Sequence, residues 1–145
     1  MRLAIAAGWA SRWTVSPRPW VGAAIVPAGG DPEDGPVFTG ATDGRTGPHA
    51  EVVAIEAAGD AARGGTLYCT LEPCAHHGRT PPCVEAVVDA GLARVVVGVE
   101  DPDPNVAGRG LDVLRRAGID VEVGTAAEEV SDQLAAYLTH RRTGR

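Results

Sequence analysis

Residues 65–90 read GTLYCTLEPCAHHGRTPPCVEAVVDA. The first part, residues 65–71, is rich in β-formers and predicts a strand. Residues 72–82 predict a loop, because Pro73, Gly78, Pro81 and Pro82 interrupt any regular hydrogen-bond pattern. Residues 83–90 predict a helix that Gly91 ends, and Pro81 and Pro82 suit the approach to its first turn. A strand, a loop bearing two cysteines and a helix follow one another here. Downstream the same alternation continues. RVVVGV, 94–99, predicts a strand, DPDPNVAGRG, 101–110, a loop, and residues 111–117 a helix stopped by Gly118. Residues 119–123 predict a strand, and residues 126–140 one amphipathic helix with Val130, Leu134 and Leu138 on its apolar face. Such alternation points to a layered α/β domain with parallel strands in this half.

Upstream, residues 2–13 predict a short helix, and residues 16–19, SPRP, cannot be helical. VGAAIV, 21–26, predicts a buried strand, and residues 36–40 its returning partner after the turn-rich PAGGDPEDG. This hairpin adds an antiparallel pair, so the sheet is expected to be mixed. Residues 51–63 predict a helix, with His49 and Glu51 at its entry.

With 145 residues, one domain is expected, over 1–141, with residues 142–145 a tail. A chain of this length buries roughly 70% of its unfolded surface and needs no disulfide to hold a core. The odd count of three cysteines, two of them in a metal-like pattern, predicts a reducing cytoplasmic setting. No segment reads as a signal peptide or membrane span. All 13 basic residues are arginine, which excludes a Schiff-base or phosphate-loop lysine. A net charge of −6 with dispersed acids argues against nucleic-acid binding.

His49, Cys74 and Cys83 supply one imidazole and two thiols, and Glu51 supplies a carboxylate beside the imidazole. These are the parts of a hydrolytic zinc site. Three protein ligands leave a fourth tetrahedral position for water, whose pKa zinc lowers to about 7. A neutral imidazole and two thiolates cancel the charge of the ion. Glu51, tethered next to His49, suits proton shuttling between water, a ring nitrogen and a departing amine. Cys83, at a helix start, is expected to have a depressed pKa. A closed structural zinc site is the other reading; it needs a fourth ligand, for which Cys69 or His76 would serve. Cys69 lies mid-strand, where a small buried apolar residue is its ordinary role. Trp9, Trp13 and Trp20 suit either an exposed contact face or the core.

The segments TLEPCAHHGRTPPC, PHAEVVAIEAAG, DPDPNVAGRGLDVLRRAGIDV and SPRPWVGAAIV closely resemble the deaminase domain of the bifunctional riboflavin-biosynthesis deaminase/reductase. The resemblance implies a cytidine deaminase-like fold, a three-layer α/β/α sandwich around a five-stranded mixed sheet. It implies hydrolytic deamination of 2,5-diamino-6-ribosylamino-4(3H)-pyrimidinone 5′-phosphate with release of ammonia. It also implies one zinc ion per chain on His49, Cys74 and Cys83, with Glu51 as proton shuttle. His76 and Arg79 would contact the ribose-phosphate, and a guanidinium suits that anion; read alone, Arg79 is equally a solvated loop charge. Asp101, Asp103 and Asn105 fall on the loop that closes over the sugar-phosphate end, and Arg18 falls near the ring and sugar.

The sequence departs from the family in three places. Arg18 and Asp103 stand where asparagine is usual; Asn both donates and accepts, Arg only donates and Asp only accepts. The chain also stops near where the linker to a reductase begins: either it is a stand-alone deaminase, with a separate reductase in the same pathway as a partner, or it is a domain cut from a longer product. A homodimer or homotetramer is implied. Two other readings stay open: a deaminase of the same fold acting on another base, nucleoside or nucleotide, and a catalytically silent zinc-binding domain.

Overall fold

The computed structural model describes residues 1–15, 18–75 and 82–143. The elements run α1 (Arg2–Val15), β1 (Gly22–Val26), β2 (Phe38–Ala41), α2 (Ala50–Ala58), β3 (Thr66–Leu71) and α3 (Cys83–Asp89). They continue with β4 (Arg94–Val99), α4 (Arg109–Arg116), β5 (Asp120–Val123), α5 (Ala127–Gln133) and α6 (Ala135–Thr143). The five strands form one sheet in the order β2-β1-β3-β4-β5.

The sheet is mixed, as the sequence predicts. β1 runs antiparallel to β2 and to β3, with Gly22 opposite Ala41 and Ala23 opposite Cys69. The pairs β3–β4 and β4–β5 are parallel, with Leu67 opposite Val95 and Val95 opposite Val121. Each parallel pair is joined through a helix, α3 or α4, because parallel neighbours require a crossover. RVVVGV occupies a strand whose inner residues Val95, Val96, Val97 and Gly98 are all buried. An unbroken apolar run is what a parallel strand covered on both faces needs.

Two glycines show how the layers meet the sheet. Gly40 lies opposite Ala23, and Gly22 adjoins Ala23 along β1, so the two point to opposite faces. A Cβ on Gly22 would lie 1.6 Å from the Ala4 carbonyl oxygen of α1. A Cβ on Gly40 would lie 2.5 Å from the Ala50 carbonyl oxygen of α2. Helix α1 therefore packs on one face and α2 on the other. α5 touches α1 and β4, α3 touches α2, and α4 touches α3, completing three layers. Ile25, Leu67, Val87, Val95, Leu111, Leu114 and Val130 are fully buried between them. Each such side chain contributes about 1.5–3 kcal/mol relative to exposure.

The predicted helix over 126–140 is two helices. α5 ends before Leu134 (φ −98°, ψ 14°), and α6 starts at Ala135. At the break, Trp20 Nε1 donates to the Gln133 carbonyl at 2.9 Å, so that carbonyl is satisfied by an indole. Gln133 Nε2 in turn donates to the Ile5 carbonyl at 2.8 Å and ties α5 to α1. The bend lets Val130, Leu134 and Leu138 all remain buried. α6 also extends through Thr143, so positions 142 and 143, expected in the tail, are helical. The predicted helix over 51–63 stops at Ala58 and tightens into a 3-10 turn over Gly59–Ala62. Of the tryptophans, Trp13 is exposed, while Trp20 is half-buried and stacks on Trp9 with ring centroids 6.3 Å apart. No helix among the described residues is long and apolar enough to cross a membrane.

Candidate metal centre and cavity

His49 immediately precedes α2. Its backbone is extended (φ −72°, ψ 162°), and its carbonyl accepts the Val53 N–H at 3.1 Å, the first bond of the helix. Glu51 follows in the first turn and is buried, 4% exposed. Cys74 lies three residues past the end of β3, and Cys83 opens α3 behind Pro82. Cys74 caps that helix twice. Its carbonyl accepts the Val84 N–H at 3.2 Å, and its Sγ accepts the Cys83 N–H at 3.3 Å. These contacts satisfy amides that a helix start would otherwise leave unpaired.

The three donor side chains converge. His49 Nδ1 is 3.0 Å from Cys83 Sγ and 3.7 Å from Cys74 Sγ, and all three donor atoms lie within 4.8 Å of one another. They form the one group of at least three His, Cys, Asp or Glu side chains among the described residues with the spacing to hold a metal ion. Cys69 stands apart: it is fully buried in β3, with its thiol directed to the Val96 carbonyl at 3.8 Å. His76, the other candidate for a fourth ligand, lies outside the described residues.

The cluster's acidities follow from its contacts. Hydrogen bonding from Cys83 holds the Cys74 thiol down to about 4, with help from His49 and against the effect of burial. The Cys83 thiol is pushed up, first by its bond to Cys74 and then by burial. Helix position alone predicts the reverse for Cys83; here its thiol hydrogen-bonds Cys74, and its N–H adds a smaller bond to the same sulfur, so both favour the thiolate on Cys74. His49 is raised, first by its bond to Cys74. Glu51 is raised chiefly by burial, and its carboxyl hydrogen-bonds Cys83. The donor set fits a zinc ion: one imidazole and two thiols, one already ionised, suit a borderline-soft dication.

Above the cluster lies a cavity of about 250 Å³, onto which His49, Glu51 and Cys74 open. Arg18, Asp101 and Asp103 line it. Asn105 does not; it is exposed, and its N–H donates to Asp103 Oδ1 at 2.9 Å. Arg79, like His76, lies outside the described residues. Arg18 lines the cavity, but its Nη1 donates to the Gly44 and Gly47 carbonyls at 2.9 and 3.1 Å. Its guanidinium thus braces the loop that leads into His49, and its charge also acts on the His49 imidazole, disfavouring the protonated form.

Several lining residues escaped the sequence reading. Glu72 is buried and its Oε2 accepts the N–H groups of Asp101 (3.1 Å) and Gly108 (3.2 Å), pinning the loop between β4 and α4. Its position two residues before Cys74 was the only available signal. Buried Thr42 accepts the Val21 N–H at 3.2 Å and donates to the Pro19 carbonyl at 3.2 Å. Tyr137 and Arg141, on α6, reach the same cavity. Tyr137 donates to Asp101 Oδ2 at 2.8 Å, and its hydroxyl is pushed up to about 12 by burial first and then by this bond. It therefore remains a donor throughout the neutral range. In sequence, Tyr137 reads as one more apolar position of an amphipathic helix.

A cysteine-and-histidine centre at two helix starts, on a mixed sheet flanked by helices, defines a metal-dependent deaminase fold. Residues 1–99 match the family described as the cytidine and deoxycytidylate deaminase zinc-binding region, and the chain belongs to that family. The riboflavin biosynthesis protein RibD of Escherichia coli (strain K12) is 48% identical over 134 residues, covering 92% of this chain and 35% of that protein. The structure of Acinetobacter baumannii RibD, form 1, superposes with a TM-score of 0.89 at 41% identity, covering 99% of this chain and 39% of the other. The Aspergillus oryzae Rib2 deaminase, solved in complex with DARIPP, superposes with a TM-score of 0.71 at 25% identity, covering 97% of this chain and 91% of the other. The chain thus spans little more than a third of the two RibD proteins.

Proposed function

We propose that this chain is a zinc-dependent hydrolytic deaminase. Its substrate in this reading is the riboflavin-pathway pyrimidine ribotide 2,5-diamino-6-ribosylamino-4(3H)-pyrimidinone 5′-phosphate. One observation carries the reading: an imidazole nitrogen and two sulfurs within 4.8 Å, beside a buried carboxylate, at a cavity of about 250 Å³. His49 Nδ1, Cys74 Sγ and Cys83 Sγ would hold one zinc ion. Bound there, zinc would supply the Lewis acidity that lowers the pKa of a water molecule to about 7.

The other steps belong to the chain's own groups. The reaction exchanges an exocyclic amine for oxygen: water adds at the ring carbon, and ammonia leaves. Glu51 takes a proton from the attacking water on its carboxylate, passes it to the ring nitrogen, and returns a proton to the departing amine. Burial raises its pKa above the ordinary carboxylate value, which favours the proton-carrying form needed to donate to the ring nitrogen and the departing amine. Cys74, ionised beside the helix amide, presents its thiolate without reorganisation. Val21, Leu71 and Val106 supply the apolar walls that exclude bulk water, and Asp101 and Asp103 offer acceptors to the substrate's hydroxyl groups.

Arg18 supports the ribotide over a different substrate. Its Nη1 is engaged by the Gly44 and Gly47 carbonyls, so part of the guanidinium is committed to the protein and not offered to a ligand. His76 and Arg79 are proposed ribose-phosphate contacts on the residues of the TLEPCAHHGRTPPC segment. A cytoplasmic location suits thiols that must stay reduced. Homo-oligomers, and a reductase acting later in the pathway, complete the reading, since the RibD relatives extend well beyond this chain. The test is ammonia release by zinc-loaded protein from the ribotide, cytidine and guanine. Release from the ribotide is expected; release from cytidine or guanine alone would reject the assignment. Sedimentation velocity is expected to give a dimer or tetramer, and a monomer would reject the oligomer.

A further inference from the structure

We propose that α6 is part of the substrate cavity, with Tyr137 and Arg141 as positioning residues that hold Asp101 and Asp103 and so set the grip on the substrate's polar end. The proposal rests on the deaminase reading above. Tyr137 and Arg141 are four residues apart, so they share one helix face. That face meets residues 101–105. Tyr137 Oη donates to Asp101 Oδ2 at 2.8 Å, and Arg141 Nη1 pairs with Asp103 Oδ2 at 3.3 Å. Arg141 Nε also donates to Tyr137 Oη at 3.3 Å, which couples the two.

The other oxygen of each aspartate is used inside the loop. Asp101 Oδ1 accepts the Asp103 N–H, and Asp103 Oδ1 accepts the Asn105 N–H, both at 2.9 Å. Each carboxylate therefore has one oxygen fixed locally and one fixed by α6. Without the helix, each would keep a single anchor and rotate. From beneath, Glu72 Oε2 holds the Asp101 N–H at 3.1 Å, so the loop is clamped on two sides. Arg141 also offsets the charge of Asp103, which would otherwise face an anionic ligand with a second negative wall. The Arg141 side chain is 45% exposed, so solvent weakens its pair. Tyr137, bound to a buried aspartate, has the larger effect. None of α6 falls within residues 1–99, which match the family.

The test uses the full chain, zinc-loaded, as wild type, Tyr137→Phe, Arg141→Ala and Arg141→Lys. Ammonia release from the pyrimidine ribotide gives kcat and KM; hydrogen exchange reports the loop amides. In Tyr137→Phe, KM is expected to rise about tenfold with kcat within about twofold of wild type, the pattern of lost ground-state binding. The Asp103 and Asn105 amides are expected to exchange faster while β4 stays protected. Arg141→Ala is expected to raise KM about threefold, and Arg141→Lys to restore part of it. An unchanged KM in Tyr137→Phe, or a lost kcat at constant KM, overturns the proposal, as does faster exchange spread evenly over the fold. If the wild type releases no ammonia, the deaminase reading fails separately. Loop exchange then decides the role of α6: faster in Tyr137→Phe supports it, unchanged overturns it.

Discussion

At the floor of the cavity, the proposed zinc ligands and Glu51 come from two short segments, each fixed by the start of a helix. At the rim, Arg18, Asp101, Asp103, Tyr137 and Arg141 come from three segments spread along the chain; tertiary contacts tie Tyr137 to Asp101, Arg141 to Asp103 and Arg18 to the Gly44 and Gly47 carbonyls. The floor is therefore stiff for local reasons: His49 opens α2, and Cys74 caps α3 through both its carbonyl and its sulfur. The rim is held by side chains acting at a distance. On the proposed reading, the reacting groups sit where the backbone dictates geometry, and the groups that would grip the substrate sit where side chains do.

The largest expected effect tests the floor. Glu51→Gln should retain one zinc per chain by metal analysis and lose about 10²–10⁴-fold in kcat, the range for removing a general acid–base group. Surviving activity would remove Glu51 as proton shuttle. Cys83→Ser is expected to weaken zinc binding beyond the ~10–100-fold typical of disturbing a ligand's partner. Unchanged zinc stoichiometry in a competition titration would strike Cys83 from the ligand set.

Smaller effects probe what holds floor to rim. Gly40→Ala should destabilise the protein by about 1–3 kcal/mol in urea denaturation, since the new methyl meets the Ala50 carbonyl of α2 at 2.5 Å. Wild-type stability in that variant would mean α2 docks more loosely than described. Arg18→Ala should cost about 1 kcal/mol and raise amide exchange at Asp43 more than at Val53. Equal exchange at both would show that Arg18 does not restrain the loop. The smallest effect is on pH dependence. Burial raises Glu51 in the folded, metal-free protein, so the native state holds this proton more tightly than the unfolded chain. That stabilisation is complete below the ordinary carboxylate range and is lost as pH rises through the raised value. Thermal midpoints of metal-free wild type should fall over that window, and those of Glu51→Gln should fall less. Parallel curves would show that Glu51 is not the source.

The legibility of each part follows from how local its causes are. The alternation of strands and helices after residue 65 was readable because RVVVGV and the loops between glycines and prolines carry their own signals. The trio of His49, Cys74 and Cys83 was readable because rare residue types stand at helix starts. The break at Leu134 was not, since Val130, Leu134 and Leu138 keep helical spacing across it, and the indole of Trp20 that occupies the Gln133 carbonyl lies far away in sequence. The acidity of the two thiols in the metal-free cluster was not legible from position either, because it follows chiefly from the bond between Cys74 and Cys83, which meet only in the fold.

From the amino-acid order alone came the α/β class, the mixed sheet, the three side chains proposed to bind metal and the carboxylate next to His49, because each depends on periodicity or on neighbours within a few residues. Only the folded chain revealed that Arg18 serves the loop before His49, that Asn105 faces solvent, and that α6 reaches back to Asp101 and Asp103. Those facts depend on the direction in which a side chain leaves its backbone and on which distant carbonyl or carboxylate it meets there, and no local pattern encodes either.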